Sequence, residues 1–122
     1  MAIVTVNSKF IDTSMAATFT SDVVDLHRVG AASLELHADA GTHVGAITIE
    51  ISNSNENWTV YGWADPSSGA WSTSITVAVT AAHNTFIDLS MLGARYVRVV
   101  YTTAPTGTGT LEGWIFGKNW SE

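Results

Sequence analysis

Apolar residues recur at every second position through most of this chain. In Ala46-Ile47-Thr48-Ile49-Glu50-Ile51 the three isoleucines fall on one face and Thr48 and Glu50 on the other. Ile75, Val77 and Val79 alternate with Thr76 and Ala78, and Leu34 and Leu36 with Ser33, Glu35 and His37. Successive side chains of a strand point to opposite sides, so each run predicts a half-buried β-strand. No helical apolar repeat persists for three turns, although Ser90-Met91-Leu92-Gly93 has the composition of a single helical turn. Turn-forming residues break the pattern at 39–41, 52–57, 64–69, 81–84 and 104–109. The result is about eight short strands, the pattern of an all-β antiparallel sandwich of jelly-roll type. Residues 1–122 read as one domain. Val4 and Val6 alternate with Thr5, so residues 1–10 are either a first strand or an arm that pairs with a neighbouring subunit.

The most informative segment runs from Gly93 to Lys118. Arg95, Val97, Val99 and Tyr101 share one strand face, and Tyr96, Arg98 and Val100 the other. Valines favour the core, so Val97 and Val99 are expected inside and Arg98 outside. The next strand, 111–118, is apolar on both faces: Leu111, Gly113 and Ile115 on one, Trp114 and Phe116 with Glu112 and Lys118 on the other. A sandwich strand usually has one wet face. A strand apolar on both is either covered by its own chain or sits at an interface. Tyr96, Arg98, Trp114 and Phe116 are therefore read as one aromatic and arginine contact patch, the composition enriched in interface cores. The intervening loop 102–110, with Thr106 and Thr108, is read as a hairpin beside that patch. Gly107-Thr108-Gly109 is no phosphate loop, because a strand follows it where a helix N-terminus would be needed. Arg95 is expected to anchor the preceding loop through a carboxylate such as Asp88.

Composition narrows the function. Charged residues make up 13% of the chain, about half the roughly 25% usual for a soluble domain. Twelve Ser, sixteen Thr and six Asn take their place. A neutral, hydroxyl-rich surface is easily desolvated against other proteins, although strand propensity alone explains much of the threonine. Five Lys and Arg against eleven Asp and Glu, a net charge of -6, argue against nucleic acid and against a polybasic membrane contact. The absence of cysteine excludes disulfides, Cys-ligated zinc and thiol nucleophiles. The opening MAIVTVNSKF has neither the basic nor the apolar region of a signal peptide, and no apolar run approaches a membrane span.

Other constellations are weaker. His37, Asp39 and His43 have zinc-ligand types, but nothing completes the set; His27 and His83 stand apart. Asp12, Asp22 and Asp25, or Asn55, Glu56 and Asn57, offer oxygen ligands without the spacing of a calcium loop. Glu35, Glu50 and Glu112 lie on separate strands, and no nucleophile motif accompanies them, so no enzyme and no cofactor are expected. Tyr61, Trp63 and Trp71 would suit stacking on a sugar ring if exposed, whereas Trp58 is expected to fill the core or its ends.

The order of short motifs carries a resemblance. Gly45 leads into a strand, Ser52-Asn53 is followed by Trp58, then come Gly93-Ala94-Arg95-Tyr96-Val97-Arg98-Val99-Val100-Tyr101, Gly107-Thr108-Gly109-Thr110-Leu111 and Gly117-Lys118. Over about residues 22–118 this resembles small β-sandwich virion proteins of tailed bacteriophages, including capsid decoration and head-fibre proteins. The resemblance implies a non-enzymatic structural protein of the virion, made in a host bacterial cytoplasm. Its partners would be other capsid or tail proteins, and it would form a homo-oligomer, a trimer by analogy. Ser-Asn…Trp and Arg-Tyr-Val-Arg also resemble discoidin-type carbohydrate- or lipid-binding jelly rolls. The chain departs from that family in its shortness, its lack of a cysteine pair and of an N-terminal calcium loop, and in Asn53-Ser54-Asn55 where Ser-Asn-Asp-Gly is common. These departures weaken a discoidin-style ligand site and leave the fold inference intact. A carbohydrate-binding module, at a tail tip or fibre, is the alternative function.

Overall fold

A computed structural model describes residues 2–26, 31–39, 45–64, 71–72, 75–77, 83–89, 94–103 and 108–121. The strands are β1 (Ala2–Ser14), β2 (Phe19–Thr20), β3 (Val24–Asp25), β4 (Ala31–Ala38), β5 (Gly45–Ser52), β6 (Thr59–Val60), β7 (Trp63–Ala64), β8 (Trp71–Ser72), β9 (Ile75–Val77), β10 (His83–Asp88), β11 (Tyr96–Thr103) and β12 (Thr110–Ser121). Among the described residues there is no helix, and the turn read at 90–93 lies outside them. The break expected to run through Asn84 ends earlier, because β10 begins at His83.

Two antiparallel sheets form the sandwich. One has the order β1-β12-β4-β10; the other has β11 and β5 at its centre. On the outer side of β11, β2 and β3 act as one broken strand. Ser21 closes the gap between them: its N–H donates to the Val99 carbonyl at 2.8 Å, and its Oγ accepts the Val99 N–H at 2.9 Å. β6 and β9 both pair with the other side of β5, and β7 pairs with β8 as a separate two-stranded sheet. Merging β2 with β3 and β6 with β9 by position gives sheet orders 1-8-3-6 and 2-7-4-5. Each sheet thus alternates early and late strands, the crossing pattern of two Greek keys in a jelly roll.

The alternation read from the sequence sorts the faces. β4 reads half-buried and buried by turns, with Ala32, Leu34, Leu36 and Ala38 inside. Ile47 and Ile49 of β5, Val97, Val99 and Tyr101 of β11, and Leu111 and Ile115 of β12 meet them in one core with Ile11, Met15, Leu26, Ile87 and Leu89. β1 pairs with β12 along its whole length, so residues 2–14 are an edge strand of the same sheet, with an irregularity between Lys9 and Ile11. Gly113 lies opposite Ile11, and a Cβ there would stand 2.8 Å from Ile11 Cδ1. The missing side chain is what lets Ile11 fill that part of the core.

Candidate functional site

The sandwich has two outer faces, and the structure divides the predicted contact residues between them. β11 and β12 are consecutive, yet they lie in different sheets, so they do not form the hairpin expected around 102–110. Tyr96 and Arg98 project from the β11 sheet, and Trp114 and Phe116 from the β12 sheet on the opposite side. The single patch expected from sequence is therefore two separate surfaces. The physical reason is that a period of two fixes which residues of one strand share a face, but not which sheet the strand joins. Of the loop residues, Thr108 is exposed and Thr106 lies outside the described residues.

On the β11 side the cations are occupied within the chain. Arg98 Nε donates to Glu50 Oε1 at 2.7 Å, and its guanidinium lies 4.1 Å from the Trp58 ring centroid. Glu50 faces Arg98 across the β5–β11 pair, so this is a cross-strand ion pair roofed by an indole. Trp58 is accordingly a half-buried outer-face residue, not a core filler. Arg95 bonds Asp25, at 3.3 Å through Nε and 3.2 Å through Nη2, and lies over the Tyr96 ring at 4.9 Å. Its anchor is thus Asp25 of β3 in place of the expected Asp88, and the hydrogen bond to Asp25 raises its pKa further. The loop after β5 is held by serine. Ser52 Oγ accepts the N–H groups of Ser54 and Asn55, Ser54 Oγ accepts those of Glu56 and Asn57, and Asn53 Oδ1 accepts the Arg95 N–H at 3.0 Å. These bonds, with Asn55 at a φ of 60°, account for the polar cluster as turn chemistry.

The β12 side is different. Across its four strands run two pairing rows, Lys9–Trp114–Glu35–Phe86 and Asn7–Phe116–Ser33–Asp88. Phe86 is 64% exposed and Phe116 43%, and Trp114 is half-buried. Ser33, Glu35, Phe86, Trp114 and Phe116 line a shallow cleft of about 340 Å³. Next to Trp114 in the same row, the Lys9 ammonium bonds Glu112 at 2.5 Å and Asp12 at 3.2 Å and lies 5.4 Å from the Trp114 ring centroid. Those two carboxylates hold the Lys9 pKa above its ordinary value, the Glu112 bond contributing most. Phe86 was not foreseen as a surface residue. The available signal was its phase, since it alternates with Ile87 and so takes the face opposite the core.

The described residues do not assemble the remaining predicted sites. Tyr61 packs half-buried against the core, and its N–H bonds the Ile49 carbonyl, so it offers no open platform. Trp63 and Trp71 lie diagonally in the β7–β8 pair, with side chains outside the described residues. His37 pairs with Asp39 at 3.4 Å, His27 and His43 lie outside the described residues, and among those described no three His, Asp or Glu converge. Glu50 is on the opposite face from Glu35 and Glu112.

The fold has known counterparts. No family model matches the chain, and no curated protein matches it by sequence. Among solved structures it is similar to the SPBc2 prophage-derived protein YomS, with a TM-score of 0.63 at 8% identity over 96% of both chains. It is similar to the PBSX exported protein XepA, with a TM-score of 0.63 at 18% identity over 96% of this chain and 38% of XepA. The chain thus spans well under half of XepA. At such identities what is shared is the fold.

Proposed function

We propose that this protein is a non-enzymatic, phage-related structural protein, an accessory or decoration component of the virion that acts by burying surface against other virion proteins. The observation that carries the reading is the β12-side face, where the exposed Phe86 and Phe116 stand with the half-buried Trp114. Contiguous exposed apolar patches mark interaction sites, and aromatic residues are prominent among the residues that carry binding energy. Support also comes from the fold's counterparts, one of which is prophage-derived by name and another an exported protein by name. A surface poor in charge lowers the desolvation cost of such contacts. Self-association, as a trimer, is part of the proposal and rests on analogy. Mass spectrometry of purified particles from the source phage tests the reading: the chain is expected among the particle proteins in stoichiometric amount. Light scattering after size exclusion tests self-association, with a stable oligomer as the expected result.

A further inference from the structure

We infer that the β12-side cleft is a socket for one cationic side chain, arginine or lysine, presented by a different protein. This rests on the reading that the chain works through protein contacts, and it names the chemistry of the contact. Glu35 sits at the centre of the cleft, between Trp114 and Phe86 in one pairing row, with Phe116 on the neighbouring row. It is half-buried, and no described residue bonds or pairs with it. The other carboxylates of the strands are matched where their side chains are described: Asp12 and Glu112 with Lys9, Asp25 with Arg95, Glu50 with Arg98. A carboxylate among aromatic rings offers a cation a charge-assisted hydrogen bond. Aromatic walls around it select among ligands. Their faces attract a cation, and the same cation would satisfy the carboxylate, so rings and charge ask for one group. The chain already makes this arrangement once on the far side of Trp114, where the Lys9 ammonium meets the ring and two carboxylates. A neutral sugar would use the rings but leave the carboxylate's charge uncompensated.

Lys9 cannot serve Glu35, because it lies two strands away in the row and is held by Asp12 and Glu112. A second copy is poorly equipped as donor: each of its cations whose side chain is described, Lys9, Arg95 and Arg98, is bound to its own carboxylates. A net charge of -6 further favours a basic partner.

The test is an NMR titration of the uniformly 15N-labelled protein, following the Trp114 indole N–H, identified by its absence in Trp114→Phe. The probes are N-acetyl-arginine methylamide, its neutral isostere N-acetyl-citrulline methylamide, and a neutral oligosaccharide panel. The arginine probe is expected to shift the signal in a saturable, salt-sensitive way, and the citrulline probe is not. Glu35→Gln is expected to weaken the arginine probe about tenfold while leaving the rest of the spectrum, and hence the fold, unchanged. Equal responses to arginine and citrulline, or an arginine response that survives Glu35→Gln, would overturn the inference. A silent cleft would overturn it too, even with the chain found on the particle, so its failure is separable from that of the structural reading. An oligosaccharide that binds independently of Glu35 would reassign the cleft to glycans.

Discussion

Replacing Arg98 separates a structural arginine from a contact arginine. Its guanidinium donates to Glu50 at 2.7 Å and covers Trp58 at 4.1 Å, and the two ionic side chains are 27% and 22% exposed. A hydrogen bond between charged groups contributes about 1.5–3 kcal/mol when sheltered, and cation–aromatic stacking about 0.5–2 kcal/mol. Partial exposure puts both near the lower ends of their ranges, so Arg98→Ala should destabilise by about 2 kcal/mol. Arg98→Glu should cost about 3 kcal/mol, because it also sets a like charge opposite Glu50 across the strand pair. Typical domains have about 5–15 kcal/mol to lose, so both variants remain folded at room temperature. With a urea slope of about 1–3 kcal/mol/M, the midpoint for Arg98→Glu falls by about 1–3 M, followed by tryptophan fluorescence. In a double-mutant cycle with Glu50→Gln the coupling should be about 1 kcal/mol or more. A midpoint within a few tenths molar of the parent, or no coupling, would refute the assignment. Loss of self-association by a variant of unchanged stability would return Arg98 to the interface.

Three further substitutions probe the core and the β12-side face. Gly113→Ala should destabilise by about 1–3 kcal/mol, because its new Cβ meets Ile11, and Ile11→Val should partly rescue it in the same urea assay. Tyr101→Phe should be neutral or stabilise by up to about 1 kcal/mol in thermal unfolding, since the buried Tyr101 hydroxyl has no hydrogen-bond partner among the described residues. Lys9 has a raised pKa, so its stabilisation is fully present below its ordinary value of 10.5 and is lost as pH rises through the higher folded-state value. Thermal melts should therefore show a steeper fall in stability above pH 10.5 for the parent than for Lys9→Gln.

What the sequence disclosed followed the range of its signals. Period-two alternation in 33–37, 46–51 and 95–101 placed Leu34, Ile49 and Val99 inside and Glu35, Glu50 and Arg98 outside, as found. The jelly roll was legible because breaks at regular spacing between such runs leave few alternatives. Long-range pairing was not legible. Nothing local to Tyr96 or Trp114 says that β11 joins β5 while β12 joins β1 and β4. The aromatic cleft depends on that pairing, since Phe86, Glu35 and Trp114 are distant in the chain and meet only through the register of three strands. The same limit explains Arg95, whose partner Asp25 comes from a two-residue strand too short to announce itself by alternation.

The central claim is that the β12-side face, with Phe86 and Phe116 exposed on it, is where this protein binds its particle. The most direct test is co-sedimentation of purified protein with particles from which it has been stripped or deleted. The parent should rebind to saturation, and the double variant Phe86→Ser/Phe116→Ser should not, while keeping the parent's unfolding midpoint. Equal rebinding by the folded double variant, or no rebinding by the parent, would contradict the account.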